Sequence, residues 1–578
     1  MGNAYKSMGS SGSGTFGSRL ASFISPLAPF MGLQLIGIWG VFSIVWLYVG
    51  TPPGDDVEQT WMYNCLLGGD SSSVAVTTLQ SAFSFGLVLA VPFAGIPTER
   101  IALAKYQLIG EVLFLLCALG MWVAEQMQSK SVFFGAFFLL GVAATPQIIV
   151  SLVLVAELEN QYRRGLVTAV IGITIVFAMG LSTSIGQALS PYEIDVEEMV
   201  LSGLAGLEPG TDHSIVCTAA TQHSSIPLYM CVLGLVCLIC NTVARRISRK
   251  RPGSIFNIQP GGRLPNLLSL CVSVCACLTF ILSLFLLANR DNLHTSSIVF
   301  LCSLVLAFLA LQIDRHFTKQ ELRGTVSIKA AVDAVSIFTV AAPSAAAAAC
   351  ASLYLFVYSA LVAGQDSPDV NLTCPSLFNM GGCVFMCVGF LIAMLQQQGG
   401  RGSLHRDVPG ICCLSIGLST VLLSWFLPRL REETGAILWV TVSMPLGVLL
   451  SVVYRRALPA TQYGKASVSV SSFLFAVLAG LYFGERFSYS TVWYFMPRVY
   501  RNRVDASSLC FDTGPPPLPT AAPQCMDIYV EAVVQSSAAT AFLFGIVALI
   551  SVPFIAAPIN RLTALRSQKG FRNIPMLT

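Results

Sequence analysis

Long apolar runs alternate with short polar connectors along almost the whole chain. Residues 30–50, 76–95, 131–155 and 536–558 each hold close to the ~20 apolar residues that cross a bilayer as a helix. Inside hydrocarbon every backbone N–H and C=O needs an internal partner, so these runs are read as helices. A transmembrane barrel would show segments of about ten residues with alternating polarity, and none is visible. The pattern predicts fourteen spans, near 30–50, 76–95, 106–125, 131–155, 166–190, 225–246, 266–288, 297–313, 330–363, 378–396, 410–427, 436–454, 466–484 and 536–558. The stretch 330–363 is too long for one straight span. Pro343 and the run Ala345–Ala349 predict either a kinked helix or an extra re-entrant piece. The expected fold class is an all-α polytopic membrane protein.

Composition agrees with the pattern. Of 578 residues, 54% are hydrophobic and 11% charged, against about 25% charged in soluble domains. Residues 1–29 are Ser/Gly-rich and lack the apolar core of a secretory signal, so they read as a flexible cytosolic tail. Basic residues then set the sidedness. With the N-terminus inside, all but eight of the 33 Lys and Arg face the cytosol, the exceptions being Lys130, Arg290, Arg429, Arg431, Arg486, Arg498, Arg501 and Arg503. That asymmetry is the positive-inside rule. The cluster Arg245, Arg246, Arg249, Lys250 and Arg251 follows the sixth span and reads as a topology anchor, not a nucleic-acid site.

Cysteine placement is a second test of the same map. No cysteine falls in a cytosolic loop, whereas Cys65, Cys217, Cys374, Cys510 and Cys525 fall in outer loops, where they can oxidise. Cys510 with Cys525, flanking a proline-rich stretch, and Cys65 with Cys217 are the candidate disulfides. Asn371-Leu372-Thr373, a glycosylation sequon, is also outside. The resulting plan has an N-terminal six-helix bundle over 30–251 and a C-terminal one over 330–558. A linker with two inserted spans occupies 252–329, and 559–578 forms a cytosolic tail. The protein is expected to be a multi-pass monomer of the plasma membrane or an endomembrane, with both termini cytosolic.

Gly95-Ile96-Pro97-Thr98-Glu99-Arg100, between the second and third spans, resembles the loop signature of the major facilitator superfamily. Glu99 stands in place of the usual Asp, and Ala102 where a second Gly is expected. After the fourth span Glu157 is followed, after six intervening residues, by Arg164-Gly165, a spacing similar to that of sugar and organic-ion porters of the superfamily. Gly172, Gly180 and Gly186 continue into the fifth span and would permit close helix packing. The second-half counterparts, around Arg455-Arg456 and Gly400-Arg401-Gly402, are eroded, so no subfamily is assigned. The resemblance implies two bundles, with two extra spans between them, that open alternately to either side. Gly95, Glu99, Arg100, Glu157, Arg164 and Gly165 would bias that equilibrium.

Ionisable residues within spans are costly and usually functional. Asp333, one turn after Lys329, and Glu111 are the candidates for coupling to a proton; a boundary ion pair and a packing role are the respective alternatives. Glu125, Glu485 and Glu531 are expected at outer span ends, solvated by the interface. Gln34, Trp39, Gln147, Tyr358 and Tyr482 are polar or aromatic positions within spans that could line a cavity. Sparse intramembrane charge favours a neutral or zwitterionic solute, or facilitated diffusion. All five histidines fall in loops and no P-loop or hydrolase motif appears, so neither enzyme chemistry, a cofactor, a metal nor nucleic acid is expected. The reading is a secondary-active or facilitative transporter of a small organic solute. The alternative is a receptor-like or structural membrane protein on a carrier-type fold. The acidic outer segment 191–224 and the outer segment 486–535 are long enough to form a lid.

Overall fold

A computed structural model describes residues 73–94, 97, 101–127, 129–154, 168–170, 172–173, single positions between 231 and 246, 267–287, 293–321, 340–363, 374–398, 404–429, 432–457, 466–503 and 523–568. Every element among them is helical. In chain order these are α1 (Ser73–Ala90, closed by a 3-10 turn Val91–Phe93), α2 (Leu103–Gln126), α3 (Lys130–Leu154), α4 (Leu267–Leu286), α5 (Leu293–Glu321) and α6 (Ala341–Ala363). Then follow α7 (Cys374–Gln398), α8 (Leu404–Phe426), α9 (Glu432–Leu438), a π turn (Trp439–Ser443), α10 (Met444–Ala457), α11 (Ala466–Arg503) and α12 (Pro523–Gln568). Eight helices among the described residues are long and apolar enough to cross a membrane, and two apolar stretches, Ala82–Phe93 and Gly381–Leu395, are shorter. The expected span 30–50 and most of 166–190 and 225–246 lie outside the described residues.

Three expectations change. Pro343 does not kink a long helix: α6 begins at Ala341, which puts the proline in the first turn, where its missing N–H costs nothing. The twelfth span is not one regular helix, because the π turn at Trp439–Ser443 widens it between α9 and α10. That turn lays Trp439 over Gly381 and Gly382 of α7, stacked on Phe385 at 6.1 Å. The segment 486–535 is not all loop either, since residues 486–503 continue α11 and 523–535 open α12. Glu485 and Arg486 are charged but are not helix breakers, so the helix runs through the point where the apolar run ends. At 1.5 Å per residue the 38 residues of α11 reach about 57 Å, well beyond a hydrocarbon core of about 30 Å.

One helix contact is built twice. In the α1–α3 pair, a Cβ on Gly86 would strike the carbonyl of Phe138, and one on Gly141 the carbonyl of Phe83. In the α7–α10 pair, Gly389 meets the carbonyl of Met444 in the same way, and Gly447 that of Met386. Each pair has one glycine per helix, and on both helices the struck carbonyl lies three residues before the glycine. Bare backbone lets helices approach closely where lipid supplies no hydrophobic drive for association. Gly480 and Gly484 of α11 seat on Ala341 and Ala345 of α6 by the same means.

The inserted helices α4 and α5 form an antiparallel hairpin. Ser269 donates to the Ala310 carbonyl at 3.3 Å and Ser296 to the Ser283 carbonyl at 2.8 Å. Its aromatic side covers the line where α1 meets α11: Phe280 lies 6.3 Å from Phe475 between ring centroids, and Phe300 stacks on Phe483 at 4.8 Å. The outer faces of both helices, including Leu268, Leu278, Ile298, Leu301 and Phe308, are exposed, as helices bordering lipid should be.

Candidate functional site

The N-terminal helices meet the C-terminal ones at one end of the molecule. Tyr454, one turn from the end of α10, is buried and donates its hydroxyl to the Leu152 carbonyl near the end of α3, at 2.6 Å. Ala169 packs against Phe390 of α7, whose ring fills the space a side chain at Gly172 would take. The Cys387 thiol points to the Ile173 carbonyl at 3.5 Å. The turn Val91–Phe93, at the end of α1, rests on α11. The described parts of α1 and α3 end here, and residues 168–170 and 172–173 lie at the same end.

The middle of α11 is the second feature. Tyr482, Glu485, Arg486 and Tyr489 fall at i, i+3, i+4 and i+7 and therefore share one helix face. At about 100° per residue that face lies opposite Gly480 and Gly484, which pack on α6. Tyr482 accordingly reaches α1, whereas Tyr489, at the far end of the face, turns back to α6. All four are half-buried. Tyr482 adjoins Ser84 of α1, and both Glu485 and Arg486 lie close enough to Tyr482 and Tyr489 to act on them electrostatically. Phe356 of α6 meets the Tyr489 ring edge-on at 5.6 Å.

The depth of this face corrects the expectation that Glu485 sits at an outer span end. Because Gly480 seats on Ala341 and Gly484 on Ala345, residues 482–489 run alongside the apolar stretch Ala341–Tyr358. An acid and an arginine, both half-exposed, therefore lie level with that apolar stretch. An arginine at the centre of a membrane helix costs about 2.5 to 3.5 kcal/mol on insertion scales. A helix retains such residues where they face a partner or a path. α11 is not among the eight membrane-crossing candidates; its polar face is the reason it read as ending early.

Of the residues proposed from sequence, Tyr482 is the one placed on this face. Tyr358 stacks on Tyr354 of α6 at 6.3 Å. Gln147 (1% exposed) adjoins Pro146, which packs on Gly110 of α2, and Gln107 (0% exposed) and Glu111 (1% exposed) lie within one turn of Gly110. Neither amide atom of Gln107, nor the amide nitrogen of Gln147, finds a hydrogen-bond partner among the described residues. Glu111 thus belongs to the interior of the α2–α3 pair. Gln34, Trp39, Gly95, Glu99, Arg100, Glu157, Arg164, Gly165, Asp333, Asn371, Cys65, Cys217 and Cys510 lie outside the described residues, as does the side chain of Cys525 in α12. Sequence reasoning missed Glu485, Arg486 and Tyr489. The signal was present as four polar or aromatic positions in helical register across an assumed span boundary.

No family model and no curated protein matches the sequence. Among solved structures, the chain is similar to the human organic anion transporter MFSD10 (TETRAN). That likeness covers 91% of this chain and 99% of that one at 12% identity, with a TM-score of 0.50. The major facilitator superfamily transporter FucP in the outward conformation matches with a TM-score of 0.47 and 14% identity over 91% and 99% of the two chains. The proton:xylose symporter XylE bound to 6-bromo-6-deoxy-D-glucose matches with a TM-score of 0.49 and 12% identity over 93% and 95%. The likeness to the human transporter shows the fold: this multi-pass all-helical chain folds as that protein does.

Proposed function

We propose that this chain is a secondary-active or facilitative carrier that moves a small organic solute across a bilayer by alternating access. The observation that carries this reading is the contact of N- and C-terminal helices at one end, through the Tyr454 hydroxyl on the Leu152 carbonyl and Phe390 in the notch at Gly172. Such contacts involve few atoms and can be broken without unfolding either side. The carbonyl-on-glycine contacts within α1–α3 and within α7–α10 are extensive and close, so each set of helices would move as a unit. Two units joined across a few polar contacts form a two-state element of the kind a carrier needs.

The same contact built twice supports a plan of two six-helix bundles, 30–251 and 330–558, with the α4–α5 pair inserted between them and about fourteen spans in all. On that plan the closed end is cytosolic, as are both termini, and the turns holding Gly95, Glu99, Arg100, Glu157, Arg164 and Gly165 lie around it. Their charges would pair across the closed end and part when it opens. Asp333 and Glu111 are retained as candidates for proton coupling.

Purified protein reconstituted into vesicles tests the reading by counterflow. A carrier shows saturable exchange of preloaded and external solute, whereas a receptor-like or structural protein shows none. Arg164→Ala is expected to slow turnover while leaving solute affinity near that of the wild type. Turnover equal to wild type with a collapse of affinity would remove that turn from the conformational step.

A further inference from the structure

We propose that Cys383 and Cys387 of α7, with the thioether of Met386, bind a soft monovalent cation of the Cu(I) type at the seam between the N- and C-terminal helices. The proposal does not depend on the carrier reading. Cys383, Met386 and Cys387 fall at i, i+3 and i+4 and so share one helix face. That face is turned to the seam. The Cys387 thiol points to the Ile173 carbonyl at 3.5 Å, and all three side chains pack in one cluster with Ala169, Ile173, Phe390 and Leu450. Cys387 acts electrostatically on Cys383, and both thiols are free and half-buried.

The spacing selects an ion over a disulfide. Positions four apart on a helix hold their Cβ atoms about 5 to 6 Å apart. A disulfide needs about 3.8 Å, so this pair does not cross-link while the helix is intact. One ion between the two sulfurs spans the wider gap. The ligand set then selects the metal. Thiolate and thioether donors favour soft ions such as Cu(I). Structural zinc takes four ligands, and no group of three His, Cys, Asp or Glu side chains gathers among the described residues. The surrounding side chains are apolar and offer nothing to a cation that keeps its water. The expectation that no metal binds rested on the histidines, and a sulfur site for Cu(I) requires none. Binding turns thiols into thiolates, so protons leave as the ion enters and affinity rises with pH.

A second i, i+4 pair provides the control. Cys271 and Cys275 of α4 are exposed, and Val274 stands where the first pair has Met386. The purified full chain is titrated without oxygen with Cu(I) held by bicinchoninate, and with Ag(I) as a redox-inert stand-in. Protection of each cysteine from N-ethylmaleimide is read by mass spectrometry of the peptides, and Cu–thiolate absorption in the ultraviolet gives a second readout. The first equivalent is expected to protect Cys383 and Cys387 together and to leave Cys271 and Cys275 reactive. Cys383→Ser and Cys387→Ser should each weaken Cu(I) by at least the roughly tenfold to hundredfold that loss of an outer-shell partner costs. Met386→Leu should weaken it by several-fold, and the double variant C271S/C275S should not change it. In Cys387→Ser, Cys383 should lose its protection as well, because a shared ion needs both sulfurs.

Where a serine variant fails to fold, the order of protection in the unaltered chain decides. The proposal is overturned if the first equivalent protects neither or only one of Cys383 and Cys387, or protects Cys271 and Cys275 as readily. It is also overturned if Zn(II) binds as tightly as Cu(I), or if Cys387→Ser binds Cu(I) as the wild type does.

Discussion

Tyr454→Phe removes one hydroxyl from the contact between the N- and C-terminal helices and leaves the ring in place. That hydroxyl reaches the Leu152 carbonyl at 2.6 Å, and the ring stays packed on Phe473 at 5.7 Å between centroids. A buried intramolecular hydrogen bond contributes a net of about 0.5 to 1.5 kcal/mol. If the bond exists only while this end is closed, its loss shifts the closed-to-open ratio by about 2- to 13-fold towards open. A native cysteine reports the shift. Cys387 sits on α7 at the same seam, its thiol against the Ile173 carbonyl, whereas Cys413 is fully buried among the C-terminal helices. The rate at which a membrane-impermeant maleimide labels each cysteine is followed by mass spectrometry of the peptides. In Tyr454→Phe the Cys387 rate should rise by the factor above and the Cys413 rate should not change. An unchanged Cys387 rate would refute the gate. So would an equal rise at both cysteines, which would mean general loosening and not the opening of one end.

The close helix contacts make a second prediction. Gly141→Ala and Gly447→Ala each place a Cβ against a backbone carbonyl that cannot rotate away. Each should cost about 1 to 3 kcal/mol and lower the melting temperature of detergent-purified protein; melting as in wild type would show that the helices are farther apart. The inserted hairpin provides a graded pair. Phe280→Ala removes a buried ring that touches Phe300 and Phe475 and should cost about 3 kcal/mol or more. Tyr494→Phe loses the exposed hydroxyl that accepts from Arg498 at 2.6 Å and contacts His294 at 3.1 Å, and should cost less than about 1 kcal/mol. The reverse order in thermal unfolding would show that polar contacts at its outer tip hold the hairpin, not aromatic packing along its length.

Much of the scaffold was legible because hydropathy in lipid is a nearly local property. A run of about twenty apolar residues has few alternatives to a helix, and α2, α3, α4 and α8 lie where their apolar runs predicted. Boundaries were less legible where polarity and helix propensity disagree. Glu485 and Arg486 end the hydropathy signal of α11 without ending the helix, and Pro343 reads as a kink until its position within the first turn is known. The Trp439 ring, carried by the π turn, fills the space left by two glycines of another helix, Gly381 and Gly382, and no local pattern announces that contact.

Sequence alone determined that the chain is a multi-pass helical protein, because the bilayer imposes that on each segment independently. Tertiary structure decided which polar residues share a site, because that depends on how helices far apart in sequence are rotated and registered against one another. Gly480 and Gly484 settle the rotation of α11 by pressing one side against α6. The opposite side then brings Tyr482 to Ser84 of α1, while Tyr489 meets Phe356 of α6 further along the helix.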